Sequence, residues 1–502
     1  MRTAQEEVSA KAAADPVFAE RAYRQLSLVN GYPETFSVFE GEEIVIRVAR
    51  KPGRLPSSQD VFVQKIEVRN VTTHKTIASP RPAERVQIFE QVPANYRDGG
   101  AGYMCRVVLD TKGWPTGVYE CVIHDNTGES SKNIYFNIKP RSMAGHDLIC
   151  VLPTFTWQAY NRSAGGSFYS SNLGSYRTIS LHRPLAPTTD NFISAAIPFL
   201  GAFASGGVKV ACVDSWDLHH GYLPEGDASV MALLTHDEYW SEPMRMRIDQ
   251  FLKNRGALLV LAGNTCWWKI EVEGFNISVR KGKNKSGWRQ SGNPEENTFV
   301  SSFRYAGYAA ERARKKKAYR DIVKRYAGKG MRDAGAMHIV DPDHSIFRGV
   351  KLGPDQNFGG SVPIMYREID GVPLNQDGTI DTRAYKSKQI KPHIIATGLA
   401  FRRDQARTVG VIVEAKVHQG YVVNMGTFGW SRGLILKDDA VRQVVLNAYS
   451  YCRFLAGKDG GEIFSLKFQP APIWAKVGAR MNLYISQHRF VRKLASFVRR
   501  LL

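Results

Sequence analysis

The hydrophobic period changes once along this 502-residue chain, near Asp147, and that change limits what the chain can fold into. Before it, Glu43 to Val48, Asp60 to Arg69, Tyr103 to Leu109, Val118 to His124 and Asn133 to Ile138 read as strands, with alternation and turn residues such as Asp125-Asn126-Thr127-Gly128. A period of two with short turns predicts an antiparallel β-sandwich over residues 35–140. After it, uninterrupted apolar runs at Leu148 to Leu152, Val208 to Val213, Val230 to Leu234 and Ala257 to Leu261 alternate with helix-like stretches at 191–205 and 243–254. Strands that are apolar on both faces need cover on both faces. The reading is an α/β domain over residues 147–456 with a mostly parallel sheet. Runs at Pro392 to Thr397, Thr408 to Glu414 and Gly420 to Met425, then a helix from Ala440 to Leu455, complete it.

Three segments fall outside that pattern. A short helical stretch around Pro16 to Leu26 makes residues 1–34 an N-terminal segment. Residues 265–335 read as a basic surface insertion, rich in Gly, Lys and Arg, with a helix from Ala309 to Tyr326. Residues 457–502 form a basic tail in which Phe490, Leu494, Phe497 or Val498, and Leu501 recur at helical spacing beside Arg489, Arg492, Lys493, Arg499 and Arg500. Such a tail suits an anionic membrane surface or a partner, and equally a stripe packed on its own domain.

The formal charge of +21 invites a nucleic-acid reading, and its distribution argues against one. Residues 280–290, 311–330 and 480–502 carry +5, +7 and +6, which is 18 of the 21 net charges. The body is therefore near neutral, with no continuous basic groove and no nucleic-acid-binding motif, and no specific nucleic-acid partner is expected. The opening MRTAQEEVSAKAAADP has acids and no apolar core, unlike a signal peptide, and the longest apolar stretch, Ile193 to Ala204, is short and contains Pro198. Six dispersed cysteines without a C-x-x-C pair fit reduced core thiols, so a cytoplasmic location is expected.

Several familiar catalytic signatures are missing. There is no G-x-G-x-x-G, no G-x-x-x-x-G-K-[ST] and no cysteine in a strand-to-helix elbow, which disfavours nucleotide cofactors and a thiol nucleophile. Polar residues cluster instead where strands should end: Thr154 to Asn161 after 148–152, Thr235 to Trp240 after 230–234, and Gly263-Asn264 after 257–261. In a parallel sheet those ends share one edge, so Tyr160, His236, Glu238 and Asn264 converge. A site without a nucleophile points to metal-activated water or to binding without chemistry.

At these residues the chain resembles the large subunit of bacterial N,N-dimethylformamidase and its wider family. The matching motifs are Trp157-Gln158-Ala159-Tyr160-Asn161, His236-Asp237-Glu238-Tyr239-Trp240, Gly263-Asn264, Tyr366-Arg367-Glu368-Ile369-Asp370-Gly371 and Met425-Gly426-Thr427-Phe428-Gly429-Trp430, within about residues 115–455. The resemblance implies a β-sandwich followed by a domain like a glutamine amidotransferase without its cysteine. It also implies an amidohydrolase holding one ferric iron per chain through Tyr119, Tyr160 and Glu238. His236 and Asn264 would then stand beside the metal, with Glu368 a more distant group for proton transfer. The implied partners are a small amide substrate and a small subunit or further copies of the chain. Residues 265–335 do not resemble the family well. The competing class is a non-catalytic binding or assembly protein that kept the fold, linked to envelope polysaccharide.

Phenolate and carboxylate are hard oxygen donors that suit ferric iron. A metal that polarises a carbonyl and acidifies water removes the need for a protein nucleophile. His236, with an ordinary pKa near neutrality, is the natural general base or acid, and Asn264 a donor to a developing oxyanion.

Overall fold

A computed structural model describes residues 26–52, 60–77, 85–91, 99–163, 166–170, 176–186, 190–226, 228–281, 286–306, 336–353, 356–359, 362, 364–365, 368–375, 377–402, 405–458, 466, 470, 475–476 and 479–480. The alternating segments fold as two facing sheets. One has three antiparallel strands in the order Val29–Pro33, Glu43–Arg50, Cys105–Asp110. The other has five, in the order Ser37–Phe39, Ile134–Lys139, Gly117–Asp125, Val63–Asn70, Lys75–Ile77, with only the first pair parallel. Strand Val63–Asn70 shows the reason for the pattern: Val63, Ile66, Val68 and Asn70 are buried, whereas Gln64, Lys65, Glu67 and Arg69 are exposed. Their apolar faces meet in a core that includes Ile46, Val107, Ile123, Phe136 and Tyr119.

Val29–Pro33 lies in the segment read as helical, and it is a strand. It runs antiparallel to Arg50–Ile46, because Val29 and Tyr32 have sandwich surface to cover. The expected helix around Pro16, the helix from Ala309 to Tyr326 and nearly all of the basic tail lie outside the described residues.

After Asp147 the strands build a nine-stranded sheet in the order Val210–Asp214, Leu148–Leu152, Val230–His236, Ala257–Gly263, Gly420–Asn424, Gln405–Val417, His393–Arg402, Met337–Ile339, Asn357–Phe358, the first four buried throughout. The first four pairings are parallel and the last four antiparallel. The sheet is thus mixed, half parallel by pairing, where the apolar runs predict a mostly parallel one. The difference arises at Gln405–Val417, which returns as a hairpin from His393–Arg402 and turns through His418-Gln419 into Gly420–Asn424. A tight turn can only reverse a chain.

Helices cover the two faces. Asp190–Ser205 and Asp439–Leu455 lie against one core, and Glu242–Lys253 against the other. Asp438 starts the long C-terminal helix by accepting the Val441 N–H on its side chain, which satisfies one orphan donor of the first turn. Among the described residues no helix is long and apolar enough to cross a membrane.

The sandwich is bonded to the sheet edge. Asn137 Nδ2 donates to the Cys212 carbonyl at 2.7 Å, Ser37 Oγ donates to Asp217 at 2.7 Å, and Lys139 pairs with Asp217. Residues 265–306 are no mere surface insertion. Asn276–Arg280 pairs with Tyr176–Ser180, and Trp268–Lys269 pairs with Tyr239–Trp240 beside the ends of the central strands.

Candidate metal and catalytic site

Strand Val230–His236 is the third strand of the sheet and is buried throughout, so its last residue emerges at the carboxyl edge from a fully packed strand. There His236 sits in register with Gly263, the last residue of the neighbouring strand. The backbone then turns sharply. Thr235 and Asn264, both non-glycine residues, adopt φ values of +66° and +55°. A β-branched residue in that region is strained, and the strain persists because packed strands on both sides over-determine the turn.

The turn presents Glu238. Its backbone N–H donates to Thr156 Oγ1 at 3.0 Å, and its carboxylate accepts from four side chains. Tyr160 and Tyr169 reach Oε2 with their hydroxyls at 2.7 and 2.9 Å, Trp268 Nε1 reaches Oε1 at 2.9 Å, and His236 Nε2 lies 3.3 Å from Oε2. The two phenol oxygens are 2.8 Å apart and their rings stack with centroids 4.5 Å apart. Beyond them Tyr239 donates to Tyr169 at 2.8 Å, and Lys281 Nζ donates to Tyr239 at 2.6 Å while lying over the Tyr169 ring. Tyr169 is 42% exposed as a residue, while its hydroxyl bonds inward to Tyr160 and Glu238, which places it at the mouth of the site.

Each ring nitrogen of His236 has a neighbour. Nδ1 lies 3.0 Å from the Gly263 carbonyl, an acceptor only, so Nδ1 carries the proton and Nε2 faces Tyr160 and Glu238. Burial opposes charge on this imidazole, but the hydrogen bond to Glu238 and the carboxylates of Glu368 and Glu238 push it up to about 9. Burial also works against ionisation of Glu238, and the hydrogen bond and charge of His236 and the charge of Lys281 hold it below the usual range. Burial, and then the Glu238 charge, raise Tyr160 and Tyr169 well above the usual phenol range. Burial pulls Lys281 down to about 8, against the attraction of Glu238.

Glu368 and Asn264 complete the floor. A Cβ on Gly263 would lie 2.2 Å from the Glu368 carbonyl oxygen, so only glycine lets these two backbones meet. Asp370 Oδ1 accepts the Asn264 N–H at 2.9 Å and fixes the strained residue. The side-chain oxygen of Asn264 is buried without a hydrogen-bond partner.

The structure therefore brings together Tyr160, His236 and Glu238, with Asn264 and Glu368 beside them. It does not bring Tyr119. That residue is fully buried in the sandwich core, stacked on Phe136 at 5.4 Å, and its hydroxyl donates to the Pro115 carbonyl. Its ring faces inward between the two sheets because it shares the strand's buried positions with Cys121 and Ile123. The second phenol of the site is Tyr169, which motif matching missed because it stands in a polar stretch after Gly166 with no hydrophobic period. Trp268 and Lys281 were missed for the same reason, in the segment taken for an insertion.

Tyr160, Tyr169 and Glu238 place three oxygens within 2.7 to 2.9 Å of one another, a hard donor set that fits ferric iron. Among the described residues no group of three or more His, Cys, Asp or Glu is placed to hold a metal, so the usual zinc donor sets are not represented.

Residues 77–442 match a protein family described as N,N-dimethylformamidase beta subunit-like, C-terminal. No curated protein matches the chain. Among solved structures, a superoxide reductase (neelaredoxin) from Ignicoccus hospitalis is 15% identical, over 26% of this chain and 91% of that one, at a TM-score of 0.13. A variant of the same protein is 16% identical, over 24% and 84%, at 0.14. At such scores the likeness carries no argument.

Proposed function

The chain belongs to the N,N-dimethylformamidase beta subunit-like family, and from that premise we propose that it is a metal-dependent amidohydrolase cleaving the C–N bond of a small linear amide. The observation that supports this most is the convergence of Tyr160, Tyr169 and Glu238 beside a fixed imidazole at the carboxyl edge of the sheet. These three residues would hold one ferric iron. When bound, the iron supplies Lewis acidity toward an amide carbonyl and a water.

The chain's own residues do the rest. His236 holds a proton at Nε2 at neutral pH and delivers it to the leaving amine, its orientation set by the Gly263 carbonyl. The side-chain nitrogen of Asn264 would donate to the oxyanion that develops on the carbonyl. Glu368 supports the charge on His236 through space. Trp268 and Thr156 hold Glu238 so that its carboxylate cannot swing away. A thiol mechanism has little to recommend it, since Cys150 and Cys212 lie in mid-strand and all six cysteines are buried.

Elemental analysis of the purified protein, followed by an amine-release screen over small amides, tests the reading. A coloured protein with iron near stoichiometric, and amine release from at least one amide, is expected. Stoichiometric zinc, or no metal after expression with iron supplied, rejects it.

A further inference from the structure

The Tyr169 hydroxyl is bracketed by two consecutive residues. Glu238 Oε2 accepts from it at 2.9 Å, and the Tyr239 hydroxyl donates to it at 2.8 Å. One side chain holds the backbone of that pair: Thr156 Oγ1 accepts the Glu238 N–H at 3.0 Å and the Tyr239 N–H at 3.2 Å. Behind Tyr239 stands Lys281, whose ammonium donates to the Tyr239 oxygen at 2.6 Å. Tyr239 is wholly buried, so bulk water does not compete for that oxygen.

The direction of this chain is fixed at its two ends. An ammonium can only donate, and a carboxylate can only accept. Tyr239 therefore spends its own hydrogen on Tyr169, and the Tyr169 hydrogen goes onward to Glu238 or Tyr160. Hydrogen bonds in such a chain polarise one another, so the Lys281 charge strengthens the bond that reaches Tyr169.

Tyr169 has need of that bond. It stands in a turn rather than a packed strand, with the Ser170 N–H donating to the Ser167 carbonyl at 3.0 Å. A turn fixes the backbone and leaves the ring a choice of rotamers. Side chains make the choice here: the Tyr160 ring stacks on it with centroids 4.5 Å apart, and the Lys281 ammonium lies 3.8 Å from its centroid.

We propose that Tyr239, backed by Lys281, is a positioning residue of the metal site: it holds the Tyr169 oxygen against Glu238 and continues to donate to that oxygen when a metal is bound. The proposal rests on Tyr160, Tyr169 and Glu238 being the ligands. A donor on a ligand oxygen draws electron density from it, so this bond tunes the metal as well as placing its ligand.

Tyr239→Phe keeps the ring and removes the hydroxyl. In the full-length protein supplied with iron, its iron affinity, read by competition with a chelator, should fall about tenfold or more. The charge-transfer band of the iron that remains should move to longer wavelength, because the Tyr169 oxygen becomes the stronger electron donor. Lys281→Met should move the band the same way by less, and Lys281→Arg, which returns the charge and a donor, should bring it back. Packing alone would lower the melting temperature without moving the band. A second readout needs no metal: hydrogen exchange over residues 166–170 of the metal-free protein should quicken in Tyr239→Phe and Lys281→Met, and recover in Lys281→Arg. An iron-loaded wild type whose band stays in place in Tyr239→Phe and Lys281→Met overturns the proposal and leaves the metal reading standing. A wild type that takes up no iron rejects the metal reading, and the exchange then decides alone: quickened exchange keeps Tyr239 and Lys281 as the holders of Tyr169, and unchanged exchange removes them.

Discussion

The hydroxyl of Tyr169 lies 2.9 Å from Glu238 Oε2, and the two residues are 69 positions apart in the chain. The nearest tyrosine of a recognisable motif, Tyr160, shares that same oxygen at 2.7 Å. Two phenols and one carboxylate thus meet without Tyr119. Tyr169→Phe should lose most bound iron and the visible charge-transfer band. Tyr119→Phe should keep both and lose about 1 kcal/mol of stability with its hydrogen bond to Pro115. Iron content and the absorption spectrum of the two variants decide this, and the opposite result would restore Tyr119 to the site.

Metal binding and turnover should separate at His236 and Asn264. Neither belongs to the oxygen triad, so His236→Ala and Asn264→Ala should retain iron. Each should lower turnover of whichever amide the screen identifies by about a hundredfold or more, as expected for a lost proton donor or oxyanion donor. Unchanged turnover in both would make these residues structural.

Asp370 should make stability depend on pH in a direction opposite to most carboxylates. Burial raises it, the Asn264 and Thr265 N–H groups lower it, Glu368 raises it again, and the carboxyl ends at about 8. An unfolded carboxyl loses its proton near 4. Between those values the folded chain binds the proton and the unfolded chain does not, so stability falls as pH rises from about 4 to about 8. Asp370→Asn cannot titrate. Its melting temperature relative to wild type should therefore climb between pH 5 and about pH 8, in buffers of equal ionic strength. Parallel curves would show that Asp370 is ionised in the fold.

Gly263→Ala tests the close approach of two backbones. The added Cβ would lie 2.2 Å from the Glu368 carbonyl oxygen, and backbone yields poorly. A loss of roughly 1 to 3 kcal/mol is expected from overpacking. Activity should fall further than stability explains, since the same shift displaces Glu368 from His236. Wild-type melting and turnover in this variant would refute the contact.

The residues themselves determined the two kinds of sheet, because period-two and unbroken apolar patterns can bury their surface only in a half-covered and a fully covered layer. They also placed Tyr160, His236, Glu238 and Asn264 on one edge, since each follows an apolar run and strand ends in register must lie together. Folding in three dimensions decided the rest. Whether the later strands ran parallel depended on the two-residue turn at His418-Gln419, which no hydrophobic pattern encodes. Tyr119 looked like a ligand by motif, but its place in the alternation turned its ring into the sandwich core. Tyr169, Trp268 and Lys281 come from irregular polar stretches, and such side chains acquire neighbours only once a distant strand pairing, Tyr176–Ser180 with Asn276–Arg280, has folded their loops over the sheet edge.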